Sequence, residues 1–364
     1  MKITQKFTRE QMRSSRKDLK RIKSNRHPKF FQFSMMHIKQ MRQFLFFLRN
    51  YWNKNHIFVK NKKFLLWQYK DGSFLSYVIA KLENKIIGIQ GYIPQSHYDR
   101  KLPKNEIFLT ISRSLNYGTP GFFIKVLKFI KKKLSVKFIG TFGFSETMIN
   151  YHKRLGFTLG YMDHYFAISP FVKKYKIIKS KKKLKTLIKS NNCNFIEIDE
   201  KFLKKNKLSH LFNHQYPKKS NIFIINRYLK HPILKYNVFL LKKYSKPQAI
   251  IVIRKVDVAK TSALRIIDFI GKQNKFSNIG KLIIHLFKRY NSEYIDIYSH
   301  GINVKYMKKV GLVDRKKINN LILPDHLSPI IRENFNFIYG YWCKNKKVDK
   351  IRILKGDGDR DLPS

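Results

Sequence analysis

Apolar positions in the first part of the chain change from helical spacing to strand alternation. Between Phe33 and Tyr51 they recur at helical spacing with basic residues between them, which predicts an amphipathic helix. Core packing is the commoner use of such a stripe, and a membrane surface is the alternative. Phe74–Leu82 then alternates, and Ile86–Ile93 returns after the polar turn Glu83–Lys85. This second pattern predicts a β-hairpin.

The next hundred residues alternate strand and helix patterns. The predicted elements are a strand at Glu106–Leu115, a helix at Phe122–Lys133, a strand at Lys137–Phe144, a helix from Ser145 to Leu155 and a strand at Phe157–Ile168. Ser145 suits the N-cap of its helix, and Gly156 suits its end. Alternating strands and helices of this kind indicate an α/β fold.

The second half of the chain repeats this order. Its predicted elements are strands at Tyr236–Lys242, Ala249–Arg254, Ala263–Ile270 and Tyr294–His300, and helices at Ile279–Tyr290 and Val304–Val310. Tyr151–Phe157 is similar to Tyr306–Leu312, and Trp67–Tyr69 is similar to Asn226–Tyr228 at nearly the same offset. Two matches in one register indicate a duplicated domain.

We therefore expect an α/β protein with two tandem domains of one fold. The predicted parts are a basic arm at 1–32, a first domain at 33–172, a Lys-rich connector at 173–193 and a second domain at 194–364. The acidic run Asp357–Asp361 lacks the full spacing of a calcium loop. We interpret it as a solvated acidic tail.

Composition narrows the class of protein. With 364 residues and 43% hydrophobic residues, the chain is long and apolar enough for two cores, which excludes a disordered protein. No uncharged apolar run reaches the ~18 residues of a membrane span, and no secretory signal follows Met1. Two cysteines are too few for a disulfide framework or a cysteine-based metal site. We expect a cytoplasmic protein without a metal.

The net charge is +55, from 77 Lys and Arg against 22 Asp and Glu. A field this positive attracts phosphorylated ligands, nucleic acid and anionic membrane surfaces. The basic residues are spread over many elements, so a general compositional bias explains them as well as a binding surface does. A nucleic-acid-binding protein on a non-catalytic scaffold is therefore one open alternative.

Two features carry candidate chemistry. Glu106 opens the third strand, where a buried glutamate would suit a general base and a solvated one would be structural. The turn Tyr117–Gly121 leads into the helix that begins at Phe122. Free N–H groups at a helix start suit a diphosphate, and glycines let the backbone approach it closely. A plain strand-to-helix turn is the other interpretation.

Over about residues 30–170 the chain resembles the GNAT superfamily of acyl-CoA N-acyltransferases. The resemblance rests on the strand Glu106–Thr110, the turn Tyr117–Gly121 and the helix Asn150–Phe157. It implies a mixed, mainly antiparallel sheet flanked by helices in each domain, with Glu106 as catalytic base and Tyr151 or His152 as acid. It also implies a binding site for acetyl-CoA or another acyl-CoA, formed by Tyr117, Gly118, Thr119, Gly121 and Phe122.

More narrowly, the chain resembles tandem GNAT-like proteins of bacterial surface-polysaccharide biosynthesis. Trp67–Tyr69, His164-Tyr165 and Gly356–Asp361 carry this likeness. It implies acyl transfer to an amino group of a nucleotide-linked or lipid-linked sugar, in the cytoplasm or at the inner face of the membrane. A transferase that uses aminoacyl-tRNA is the alternative. The second domain is expected to be degenerate, because its loop Gly271–Gly280 is longer than the turn of the first.

Overall fold

The structure is a computed structural model that describes residues 32–115, 121–180, 184–190, 193–327, 329–345 and 350–361. The predicted basic arm lies outside the described residues up to residue 31. The chain forms two compact units. Unit 1 contains the described residues up to Ile93 together with Thr110–Ser135, and unit 2 contains Pro94–Leu109 and the described residues from Val136 onward.

Unit 1 is a sheet with helices before and after its hairpin. Its elements are β1 (Gln32–His37), α1 (Met41–Tyr51), α2 (Ile57–Lys60), α3 (Lys62–Tyr69), β2 (Lys70–Asp71), β3 (Phe74–Leu82), β4 (Lys85–Pro94), the later half of β5 (Glu106–Ser114) and α4 (Phe122–Lys133). The strand order is β1-β3-β4-β5, and β2 also pairs with β3. The predicted hairpin is confirmed, with Glu83 and Asn84 at positive φ in its turn.

The prediction of a helix from Phe33 was wrong over Phe33–His37. Gln32–His37 is a strand that pairs antiparallel with β3, and the helix begins only at Met41. The Phe33 ring packs against Phe122 and Phe129 of α4, with ring centres 6.1 and 5.9 Å apart. Apolar spacing fits either structure over so few residues, and pairing with β3 selected the strand.

Unit 2 holds the remaining elements. They are the first half of β5, β6 (Phe138–Phe142), α5 (Ile149–Arg154), β7 (Thr158–Tyr161), β8 (Asp163–Ile168), β9 (Asn194–Glu197), α6 (Glu200–Lys205), α7 (Ser209–Phe212), α8 (Asn221–Ile224), β10 (Asn237–Lys243), β11 (Lys246–Val258), β12 (Thr261–Gly271), α9 (Gly280–Tyr290), β13 (Tyr294–His300), α10 (Val304–Val310), β14 (Val313–Asp314), β15 (Ile338–Cys343) and β16 (Ile353–Leu354). A π-helical turn, Ile225–Leu229, extends α8.

The strands of the described residues belong to two mixed, mainly antiparallel sheets of eight strands each. Within unit 2 the order is β5-β6-β15-β7 in one sheet and β14-β8-β13-β12-β11-β10-β9 in the other, with β16 also paired to β13. Each sheet has one parallel pair, β5 with β6 and β12 with β13. The expected fold class and the repeated element order are confirmed.

The two sheets exchange one strand. β8 lies between β14 and β13, although it precedes the predicted connector, and β15 lies between β6 and β7, although it follows the connector. The single strand predicted at Phe157–Ile168 is thus two strands in different sheets. The break is at Met162, whose N–H donates to the Phe337 carbonyl at 2.8 Å. The predicted domain ranges 33–172 and 194–364 describe the two halves of the sequence and stay a prediction. Each sheet contains strands from both halves.

A network of buried charges joins the strands of the second sheet. Arg265 on β12 donates from Nη1 to Asp325 Oδ1 at 3.0 Å, and its Nε lies 3.5 Å from Asp296 Oδ1 on β13. His164 of the exchanged β8 contacts the other oxygen of Asp296 at 3.2 Å, and Lys355 also pairs with Asp325. Burial alone would raise the pKa of Asp325, but Lys355 and Arg265 outweigh it and hold that pKa well below its usual value.

The predicted solvated tail is instead buried. Asp357, Asp359 and Asp361 are 2%, 6% and 2% exposed. Lys219 contacts Asp357 at 2.9 Å, and Arg254 contacts Asp361 at the same distance. Buried cations are strongly destabilising without a partner, and this C-terminal segment supplies the carboxylates that unit 2 requires.

Replacing Asp325 with asparagine should destabilise the protein, because Arg265 and Lys355 would lose their shared carboxylate inside the core. We expect Asp325→Asn to lower the free energy of unfolding by about 3 kcal/mol at pH 7. The matched control Asp257→Asn changes an exposed ion pair with Lys255 and should cost less than about 1 kcal/mol. Urea unfolding of both variants measures this, and equal losses would contradict the role of the network.

Candidate active site around Glu106

Glu106 is the first residue of β5 and lies where the parallel pairing with β6 begins. Its backbone is level with Phe138, and the Asn105 carbonyl accepts from the N–H groups of Lys137 and Phe138 at 2.9 and 3.3 Å. The side chain is 7% exposed. The strand pairing therefore fixes a carboxyl group in a mostly buried position at one end of the sheet.

The surroundings of this carboxyl adjust its acidity. Burial raises the pKa of Glu106, while a hydrogen bond from the Tyr216 phenol and the charges of Lys137 and Lys218 oppose the rise. Among the described residues, Oε2 of Glu106 has no hydrogen-bond partner. A carboxyl with a raised pKa and a free oxygen is the arrangement that a general base for an amine requires.

The Glu106 charge also affects the pKa values of two nearby groups, the Tyr216 phenol and the Cys343 thiol. Burial and the Glu106 charge raise the pKa of the Tyr216 phenol well above its usual value. The same two causes raise the pKa of the Cys343 thiol to about 11, so it is a neutral thiol at pH 7. Both groups are therefore hydrogen-bond donors or packing groups here, and neither is ionised at neutral pH.

Tyr216 is held in place by the C-terminal part of the chain. Its N–H donates to the Lys350 carbonyl, and its carbonyl accepts from the Arg352 N–H, both at 3.0 Å. The ring stands edge-on to Phe138, with ring centres 5.3 Å apart. Tyr216, Lys218 and Cys343 were not predicted from the sequence, because they lie far from Glu106 along the chain. Lys137 could have been found from the parallel pairing of β5 with β6.

Tyr151 and His152, the predicted acids, lie on α5 with opposite exposure. Tyr151 is 40% exposed, whereas His152 is 2% exposed and its Nδ1 lies 2.9 Å from the Met148 carbonyl. The His152 ring stacks on Phe144 and stands edge-on to Phe157. Burial lowers the pKa of His152, so the ring is neutral at pH 7. This environment favours packing for His152 and leaves Tyr151 as the accessible candidate.

Of the predicted diphosphate site, Tyr117, Gly118 and Thr119 lie outside the described residues. Gly121 caps α4 with a φ of 69°, and a Cβ built there would meet nothing within 4 Å. Phe122 faces the core of unit 1 and is 6% exposed, and a Cβ on Gly88 would lie 2.5 Å from its ring. The Phe122 side chain is therefore occupied in the core, and the part of this residue that suits a ligand is its backbone.

The corresponding region of the second sheet is covered by the chain itself. A Cβ on Gly280, the first residue of α9, would clash with the Lys189 carbonyl of the connector. β16 pairs with Ser299 and His300 of β13, and the Gly356 N–H donates to Ile267 of β12 at 2.9 Å. The C-terminal segment thus hydrogen-bonds to both strands of the second parallel pair.

The described residues contain no group of three or more His, Cys, Asp or Glu side chains placed to hold a metal. Within the same residues, no helix is long and apolar enough to cross a membrane. His164, which belongs to a segment that carries the narrower resemblance, is buried beside Asp296 and stacks on Tyr298.

No protein-family model and no curated protein matches the sequence. Solved structures with a similar fold include a GCN5-related N-acetyltransferase from Anabaena variabilis, with 12% identity and a TM-score of 0.52, and a probable N-acyltransferase of unknown function from Enterococcus faecalis, with 8% identity and a TM-score of 0.51. Each match covers 85% of this chain and 72% of the other.

A third similar structure is a GCN5-related N-acetyltransferase from Kribbella flavida, with 7% identity and a TM-score of 0.50 over 88% of this chain and 72% of that chain. At such low identities the likeness concerns the fold alone. The chain has the fold of the GCN5-related N-acetyltransferases, in agreement with the fold that the sequence resemblance implied.

Removing the Tyr216 hydroxyl should raise the pKa of Glu106 further, because the hydrogen bond that stabilises the carboxylate would be lost. Titration of the glutamate carboxyl carbons by NMR measures this in Tyr216→Phe, with Glu106→Gln to assign the signal. The control Tyr244→Phe removes a hydroxyl from an 87% exposed ring and should leave the titration unchanged. A lower pKa in Tyr216→Phe would contradict the assigned contact.

Proposed function

We propose that the protein is an N-acyltransferase that moves an acyl group, such as acetyl, from acyl-CoA to an amino group. The observation that carries the proposal is the mostly buried Glu106 carboxyl, with its raised pKa and its free Oε2, on a strand of this fold. A base of this kind can take a proton from an ammonium group near neutral pH.

In the proposed reaction the acceptor nitrogen bonds to the acyl carbon while the carbon–sulfur bond breaks. Glu106 takes the proton that the nitrogen gives up, and the Tyr216 phenol holds the carboxylate in position. The departing thiolate takes a proton from solvent or from Tyr151, which is the more exposed of the two predicted acids. His152 is neutral and buried, so its part is to support α5.

The resemblance to polysaccharide-biosynthesis proteins extends the proposal to the acceptor. We propose an amino sugar linked to a nucleotide or a lipid, used in the cytoplasm or at an anionic membrane face. The net charge of +55 supports an acceptor that carries a diphosphate, because a field of this sign concentrates anions near the protein. A panel of nucleotide-linked amino sugars, with release of the CoA thiol as readout, tests this part.

Calorimetry should show one acetyl-CoA bound per chain, since the second sheet is covered by Lys189 and the C-terminal segment. Gly121→Glu should weaken that binding by at least about tenfold, because it places a negative charge beside a diphosphate. Gly72→Glu is the matched control, with a φ of 58° and open space around its Cβ. Both variants share the backbone strain, so equal affinities would contradict the assigned diphosphate site.

Glu106→Gln should lower kcat by a factor of about 10² to 10⁴, the usual contribution of a general base. Acetyl-CoA affinity should stay unchanged. The wild-type rate should fall on acidification through a pKa above the usual glutamate value, since burial raises it. The control Glu146→Gln changes an exposed carboxyl and should leave kcat unchanged. Absence of acetyl-CoA binding at millimolar concentration would refute the proposed function.

A further inference from the structure

Unit 2 contains a second concave site, formed by elements other than those that carry Glu106. A cavity of about 550 Å³ lies between the segment at Lys179 and the turn that begins at Arg315. This volume is in the range of small-molecule sites. The polar residues that line it include Lys179, Ser180, Arg315, Lys316, Asn319 and Asn334. We call it the Arg315 pocket.

The base of the Arg315 pocket is rigid. Lys179 and Ile322 exchange two backbone hydrogen bonds, of 3.1 and 2.8 Å. Ile178, Leu321 and other buried side chains form an apolar cluster beneath them. A site with a fixed base loses little conformational freedom when a ligand binds.

The pocket is positive and its lining, as far as the chain is described, contains no carboxylate. Asp163 lies close enough to Lys316 for their opposite charges to interact. Asp314 accepts a hydrogen bond from the Lys316 N–H at 2.9 Å. The Lys316 charge is thus partly offset, whereas neither Lys179 nor Arg315 forms an ion pair within the described residues.

Arg315 differs from those buried cations of unit 2 that pair with carboxylates. Lys219, Arg265 and Lys355 each contact buried carboxylates. Arg315 is half-buried, and its Nη2 donates to the neutral amide oxygen of Asn336. Its Nε is buried and has no hydrogen-bond partner among the described residues. The Asn336 amide orients the Arg315 guanidinium, which forms no ion pair within the described residues. A guanidinium in this state can bind an anion.

We propose that the Arg315 pocket binds a small phosphorylated ligand, with its phosphate held by Arg315 and Lys179. A phosphate carries about −1.5 to −2 charges at pH 7, which matches two cations, Lys179 and Arg315, that form no ion pair within the described residues. The planar donor fork of arginine suits phosphate oxygens. The limited volume of the pocket favours a small ligand over a nucleic-acid backbone, which would follow an extended basic surface. This site does not depend on the proposed acyl transfer.

The test is a titration of the whole protein with inorganic phosphate and ribose 5-phosphate, followed by ³¹P NMR at physiological salt. Arg315→Gln should weaken binding of both by at least about tenfold, as expected for a lost charge-assisted hydrogen bond. Arg315→Lys keeps the charge but loses the planar pair of N–H donors, so its affinity for both ligands should lie between those of wild type and Arg315→Gln. Arg154→Gln removes an exposed arginine of α5 and should change affinity by less than about twofold.

Equal losses in Arg315→Gln and Arg154→Gln would mean that only the general charge attracts phosphate, and would overturn the proposal. A loss of single-stranded RNA binding without a loss of phosphate binding would overturn it in favour of nucleic acid. A parallel loss of acetyl-CoA affinity in Arg315→Gln would assign the phosphate to CoA instead. Thermal midpoints of all variants should agree, which separates ligand loss from unfolding.

Discussion

Arg265 is the residue on which the arrangement of unit 2 most depends. Its guanidinium is buried and cannot lose its proton, so anions must approach it from within the fold. Asp296 of β13 and Asp325 provide them, and through these carboxylates the exchanged β8 and the C-terminal segment are tied to β12. A slip of any of these strands would leave a buried charge without its partner, so the network specifies the register.

The same C-terminal segment determines the environment of the candidate base. Tyr216, which donates to Glu106, is paired through its backbone with Lys350 and Arg352. Arg352 in turn donates to the carbonyls of Phe269 and Gly271 at the end of β12. The acidity of a side chain in the first sheet is therefore set by residues that belong to the second half of the sequence.

Local patterns predicted the elements that carry their own signals. The β3–β4 hairpin has its turn residues, and α4, β13 and α10 were predicted within a residue of their bounds because their apolar spacing is regular. The strand exchange was not predictable, since the sequence pattern of β7 and β8 is that of one strand and nothing local indicates which sheet each joins. In the candidate site, Glu106 was predicted from its position at the start of a strand. Its partner Tyr216 depends on a pairing between distant segments, which spacing along the chain does not contain.

The exchange of β8 and β15 has a consequence for synthesis on the ribosome. The sheet that contains Glu106 lacks its strand between β6 and β7 until residues 338–343 have been made. The nascent chain must therefore keep an open strand edge until β15 has been made, and such edges can pair with other chains. The many lysines of the sequence oppose that pairing by charge repulsion, so the composition that looks like background protects the unfinished protein.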